Sequence, residues 1–187
     1  MKKIILFLVL LLTLGVVLGL AGCTSPLTLT YTVGDTGPAG GWIFYDKGIS
    51  SDGWRYLEAA PSDQSAGTLW GCYETSIPGA DGTALGTGKQ NTIDIEAECT
   101  IPGTAADICA NLSLGGYSDW FLPSKDELNL MYENLKLFII GGFAEATYWS
   151  SSEGDASYAW AQDYGDGGQA YYGKYRAAGR VRAVRAF

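Results

Sequence analysis

Residues Ile4 to Leu20 form an uncharged, apolar run that starts directly after Lys2 and Lys3 and ends in Ala21-Gly22-Cys23. It divides the chain into a part that belongs in apolar surroundings and a part that must fold in water. The run is close to the ~20 residues that a spanning helix needs, so length alone is compatible with a membrane anchor. The ending argues otherwise. A stop-transfer helix needs no cysteine at this place and is usually followed by Lys or Arg. Two lysines, an apolar stretch and small residues leading to Cys23 read instead as the n-region, h-region and processing site of an exported chain.

The block Leu20-Ala21-Gly22-Cys23 resembles a bacterial lipobox. The resemblance implies cleavage before Cys23 and a diacylglyceryl group on its sulfur. Residues 1–22 are then a lipoprotein signal peptide, 23–32 a lipid-anchored tether rich in Thr, Ser and Pro, and 33–187 one folded domain. The expected location is the cell envelope, at the outer membrane or cell surface, with the periplasmic face as the alternative. The expected membrane contact is the lipid on Cys23.

The part from Cys23 onward has 165 residues, enough for one domain with a real core. It keeps all 20 acidic residues but loses Lys2 and Lys3, which leaves a charge of −10. That charge argues against nucleic acid and against an electrostatic grip on anionic lipid. The chain contains no histidine. Imidazole is therefore missing as base, proton shuttle and metal ligand, and Ser-His or Cys-His nucleophiles are excluded. The carboxylate pairs Asp126/Glu127 and Asp163/Asp166 could in principle do acid-base work. Asp126 and Glu127 are better explained as first-turn charges of a helix. Asp155, Asp163 and Asp166 sit in Gly-rich turns without the ligand spacing of an EF-hand loop, and read as turn formers. No enzyme, cofactor or metal is expected.

With Cys23 assigned to lipid, Cys72, Cys99 and Cys109 remain, an odd number for an oxidising compartment. One disulfide plus one buried free thiol is the simplest arrangement. Cys99 and Cys109 are close in sequence and bracket Pro102-Gly103. Pairing Cys72 with either one would close a longer loop. The spacing leaves the pairing open.

Strands are expected at Trp42–Tyr45 and Trp54–Ala59 around a polar connection, Asp46 to Gly53, with a further short strand at Leu69–Cys72. Helices are expected over Thr92–Glu98 and Thr104–Leu112. A third, clearer one opens at Ser124, with Glu127 in the capping-box position and an apolar stripe of Leu128, Met131, Tyr132 and Leu135. The rest reads as strands: Ala146–Ser151, Tyr158–Tyr164 and Gln169–Tyr175 around the turn Gly165–Gly168, and finally Arg180–Phe187. The pattern as such gives an α+β class and one domain.

Several blocks are similar to a family of bacterial surface domains, DUF1566, which includes the C-terminal domain of a Legionella collagen-like adhesin. They are Gly40–Gly48, Gly53–Pro61, Gly86–Lys89, Gly116–Leu128, Tyr148–Glu153 and Val181–Phe187. The order of the later blocks also resembles the formylglycine-generating-enzyme branch of C-type-lectin-like folds. The resemblance implies a compact C-type-lectin-like α+β domain with short antiparallel strands and two or three helices. Its terminal strands would meet, and its ligand surface would lie on the C-terminal strands and loops. The enzymatic relatives use cysteines late in the chain. None follows Cys109 here, so that activity does not carry over.

The candidate binding surface is the C-terminal aromatic set. Alternation puts Tyr158, Trp160, Gln162 and Tyr164 on one face of their strand, opposite Ala159 and Ala161. Gln169, Tyr171 and Tyr175 share a face of the next strand, and Tyr172 completes the set. If the alanines pack inward, the aromatics form an exposed platform for an extracellular protein or glycan. Lys174, Arg176 and Arg180 lie just beyond and could meet acidic groups, whereas Arg182 and Arg185 are expected to hold the fold together. Two alternatives follow from the same residues. One is a structural envelope lipoprotein that binds another envelope component. The other, by similarity to lectin-like lipoproteins targeted by diversity-generating retroelements, is a display protein with a diversified C-terminal surface.

Overall fold

The computed structural model describes residues 29–187; Cys23, the signal-peptide boundary and most of the tether lie outside the described residues. Among the described residues the fold is α+β, with eight strands in two sheets and three α-helices. Among the described residues, no helix is long and apolar enough to cross a membrane.

The smaller sheet has the order β1-β2-β8: Trp42–Ser51, Trp54–Ala59 and Val184–Ala186, all antiparallel. The N- and C-terminal strands therefore meet, as expected. The expected long connection between β1 and β2 shrinks to Asp52 and Gly53, both with positive φ (54° and 82°). An Asp-Gly pair suits this two-residue hairpin turn, so β1 runs on to Ser51. Glu58 of β2 is fully buried, accepts N–H bonds from Ala39 and Gly41, and pairs with Arg185 of β8.

The larger sheet has the order β3-β7-β4-β5-β6: Ser65–Thr68, Gly179–Val181, Thr147–Glu153, Tyr158–Asp163 and Gln169–Gly173. Only β4 and β7 run parallel. The expected strand at Leu69–Cys72 does not form, because Gly71 and Cys72 have φ of 113° and 46° and turn the chain away. Its place is taken by Ser65–Thr68. The expected final strand Arg180–Phe187 is broken in two: β7 closes one sheet and β8 the other. Arg182, at the break, is buried, and its guanidinium donates to Asp63 and to the Ala60 and Gly141 carbonyls. A charged side chain so fully engaged pins the crossing between sheets.

The helices are α1 (Gly88–Glu98), α2 (Ala105–Ala110) and α3 (Lys125–Asn134). Ser124 caps α3 in the expected capping box: Glu127 N–H donates to Ser124 Oγ, and Glu127 Oε2 accepts from Ser124 N. Helix α1 begins four residues before the expected start. Thr92 is inside it, where its hydroxyl donates to the Gly88 carbonyl one turn back and accepts from Leu122 N. Cys72 and Cys99 form the disulfide, and Cys109 is a buried free thiol. One apolar cluster, around Trp70, Ile95, Cys109 and Trp149, lies beneath α1, α2 and the larger sheet. The other, around Phe44, Leu57, Met131 and Tyr164, lies beneath α3.

Candidate functional site

The pleat of β5 divides its residues as alternation requires. Ala159 and Ala161 are buried, while Tyr158 and Trp160 stand on the opposite face. The antiparallel register sets Tyr171 of β6 directly across from Trp160. Their ring centroids are 4.2 Å apart and the planes are tilted by 37°. Tyr158 and Tyr171 are 46% and 55% exposed. Gly154 makes room for the pair: a Cβ there would come within 2.3 Å of Tyr171 Cε1, so the ring lies against bare backbone.

The helix α3 supplies a border to this surface. Lys125, its first residue, holds its Nζ 4.2 Å from the Trp160 ring centroid. Its carbonyl accepts from Gln169 Nε2, which ties the helix entrance to β6. The result is a stacked indole and phenol, flanked by a second tyrosine and an ammonium group, close to the open edge of the larger sheet. Such a surface offers the exposed rings of Tyr158 and Tyr171 beside a half-buried Trp160, with polar handles at its rim. It suits the face of a sugar ring or a planar peptide group.

Not all of the expected set reaches this face. Gln162 is buried because α3 packs over it; its Nε2 donates to Asn129 Oδ1 and to the Gly167 carbonyl. Tyr164 lies past the end of β5. Its ring packs among Tyr132, Phe143 and Tyr148, and its hydroxyl donates to the Leu128 carbonyl. Tyr172 points to the other side of the sheet, edge-on to Trp149. Tyr175 is exposed but follows β6, and meets Tyr73 edge to face at 5.0 Å.

The basic residues divide likewise. Lys174 is buried against the Trp70 ring and forms an ion pair with Glu153, so it is no surface cation. Arg180 and Arg182 share Asp63, and Arg185 pairs with Asp119 and Glu58. Among the described residues, Arg176 has no carboxylate partner. Asp155, Asp163 and Asp166 each accept backbone N–H groups of their own turns, which is the work of turn formers.

Two features escaped the sequence reading. Lys125 looks like an ordinary helix-entry residue, and only the meeting of α3 with β5 brings it over Trp160. The second is a cleft of about 440 Å³ lined by Tyr31, Tyr56, Tyr117, Phe187 and Arg55. Its aromatics come from four separate stretches, so no local pattern shows them together. A further polar cleft of about 370 Å³ includes Trp54, Lys89 and Glu127. Burial pushes the Glu127 carboxyl up to about 7, although backbone N–H groups pull against this. Its two oxygens are already held by Gly86 N and Ser124 N, so the group serves the fold.

The family model of the Lcl C-terminal domain matches residues 60–185, and the chain belongs to that family. The match begins just past β2 and covers every residue of the aromatic face. Membership points to a protein associated with the cell surface. No curated protein matches the chain.

Proposed function

We propose that this member of the Lcl C-terminal domain family is a non-catalytic module, anchored by lipid at Cys23, that binds an extracellular protein or glycan. The binding face is built from Tyr158, Trp160 and Tyr171, with Lys125 and Gln169 at its border. The observation that carries this reading is the stacked Trp160–Tyr171 pair, held outward while Ala159 and Ala161 fill the core side of the same strand. Large rings on a surface gain little for the fold and offer contact area at low entropic cost to a ligand. The absence of histidine in the sequence and the structural employment of the buried carboxylates support binding over catalysis.

The test is the double substitution Trp160→Ala with Tyr171→Ala, assayed by glycan-array and cell-surface binding. Ligand capture is expected to fall to background while the thermal transition stays cooperative. Retained binding by a folded variant rejects this face. Loss of soluble protein would put both rings in the core and reject the platform as well.

A further inference from the structure

Three consecutive bulky apolar residues project into solvent where α3 ends. Leu137, Phe138 and Ile139 are 59%, 70% and 94% exposed. This is not a frayed end. Phe138 N and Ile140 N donate to the Leu135 carbonyl at 3.1 and 3.0 Å, and Ile139 N donates to the Lys136 carbonyl at 3.0 Å. The turn is fixed, and its tip is apolar.

Ile139 adds a second argument. Its φ is 61°, in the left-handed region where a helix C-terminus usually places Gly or Asn. A β-branched residue is strained there, and this side chain buries almost nothing in return. The fold alone gives no reason for isoleucine at this point. A contact outside the fold does.

The place of the tip says what that contact is. The next residue, Ile140, turns back to the N-terminal segment: a Cβ on Gly34 would lie 3.3 Å from Ile140 Cδ1. Val33 beside it is also exposed. The first described residue, Leu29, is six residues from Cys23. Six residues span at most about 20 Å when extended. A lipid on Cys23 would therefore hold Leu29 within about 20 Å of the bilayer, and the segment from Leu29 to Gly34 leads to Ile140 at the base of the tip. The net charge rules out general electrostatic attraction to anionic lipid as the second contact. Apolar side chains entering the boundary between headgroups and acyl chains need no such attraction.

We propose that Leu137, Phe138 and Ile139 insert into the bilayer to which the chain is anchored, as a second contact that fixes the orientation of the domain. This rests on the lipid-anchored reading of Cys23. The test uses the full chain as exported and processed by a bacterial host, isolated in detergent and placed on vesicles of phosphatidylethanolamine and phosphatidylglycerol containing doxyl-labelled lipid. Phe138→Cys and, as a control on the exposed turn before β7, Ala177→Cys are each labelled with an environment-sensitive fluorophore. Cys72 and Cys99 are bonded and Cys109 is buried, so these do not compete for label.

The chain is expected to float with the vesicles, with the label at 138 shifted to the blue and quenched roughly threefold or more over that at 177. Flotation with equal quenching at both positions keeps the anchor and overturns the insertion. Failure to float overturns the anchor and the insertion with it. A blue shift at 138 without vesicles, growing with protein concentration, would assign the tip to a second copy of the chain and also overturn the proposal.

Discussion

Glu127 takes N–H groups from two helix entrances at once, Gly86 before α1 and Ser124 before α3, in a fully buried position. Burial raises its carboxyl from the ordinary 4.5 to about 7. An acid with a raised folded pKa holds its proton more tightly when folded. Its contribution to stability is thus complete below pH 4.5 and is lost as pH rises through about 7. Glu127→Gln keeps the shape and removes the titration. Between pH 5 and 8 the wild-type chain is expected to lose on the order of 2–3 kcal/mol relative to this variant, read from urea unfolding at each pH. Parallel stability curves would show that the carboxyl is ionised in the fold throughout. Lys174 shows the limit of reading single residues from sequence. In Gly173-Lys174-Tyr175-Arg176 it looks like a surface cation, yet Glu153, Trp70 and the Thr75 carbonyl, all distant in sequence, enclose it.

The elements that are legible in the sequence are those whose reasons are local. The Ser124–Glu127 box closes over three residues. The β5–β6 hairpin follows from alternation around Gly165–Gly168, and this places Trp160 and Tyr171 outward. Gln162 obeys the same alternation but is covered by α3, a tertiary event the strand cannot announce. The division of the last strand is hidden for the same reason, since it depends on Arg182 meeting Asp63 across 119 residues. The strand β7 itself depends on a close approach. A Cβ on Gly179 would lie 2.2 Å from Trp149 Nε1, the group that donates to the Thr68 carbonyl. Gly179→Ala therefore wedges β7 away from β4 and is expected to cost about 1–3 kcal/mol in denaturant unfolding. The φ at Gly179 is not positive, so the loss comes from packing alone. An unchanged midpoint would mean that β7 does not lie on Trp149.

At the scale of the whole molecule, the cysteines report on both the fold and the proposed anchor. The Cys72–Cys99 bond joins residues 27 apart and ties the end of α1 to the loop after β3. A loop of that size stabilises by about 3–4 kcal/mol through its effect on the unfolded chain, so reduction is expected to lower the thermal midpoint clearly. Cys109 is buried in the apolar cluster, and burial pushes its thiol up, which keeps it unreactive in the native state. Thiol counting on the full chain then reads both the fold and the anchor. With Cys23 carrying lipid, a thiol reagent should find none in the native chain. Unfolding without reductant should reveal Cys109 alone, and reduction should add Cys72 and Cys99. One further thiol in every state would mean an unmodified Cys23 and reject the proposed lipid anchor. A native chain that reacts only at Cys109 would instead open the core cluster to solvent and contradict the packing of α2 against the larger sheet.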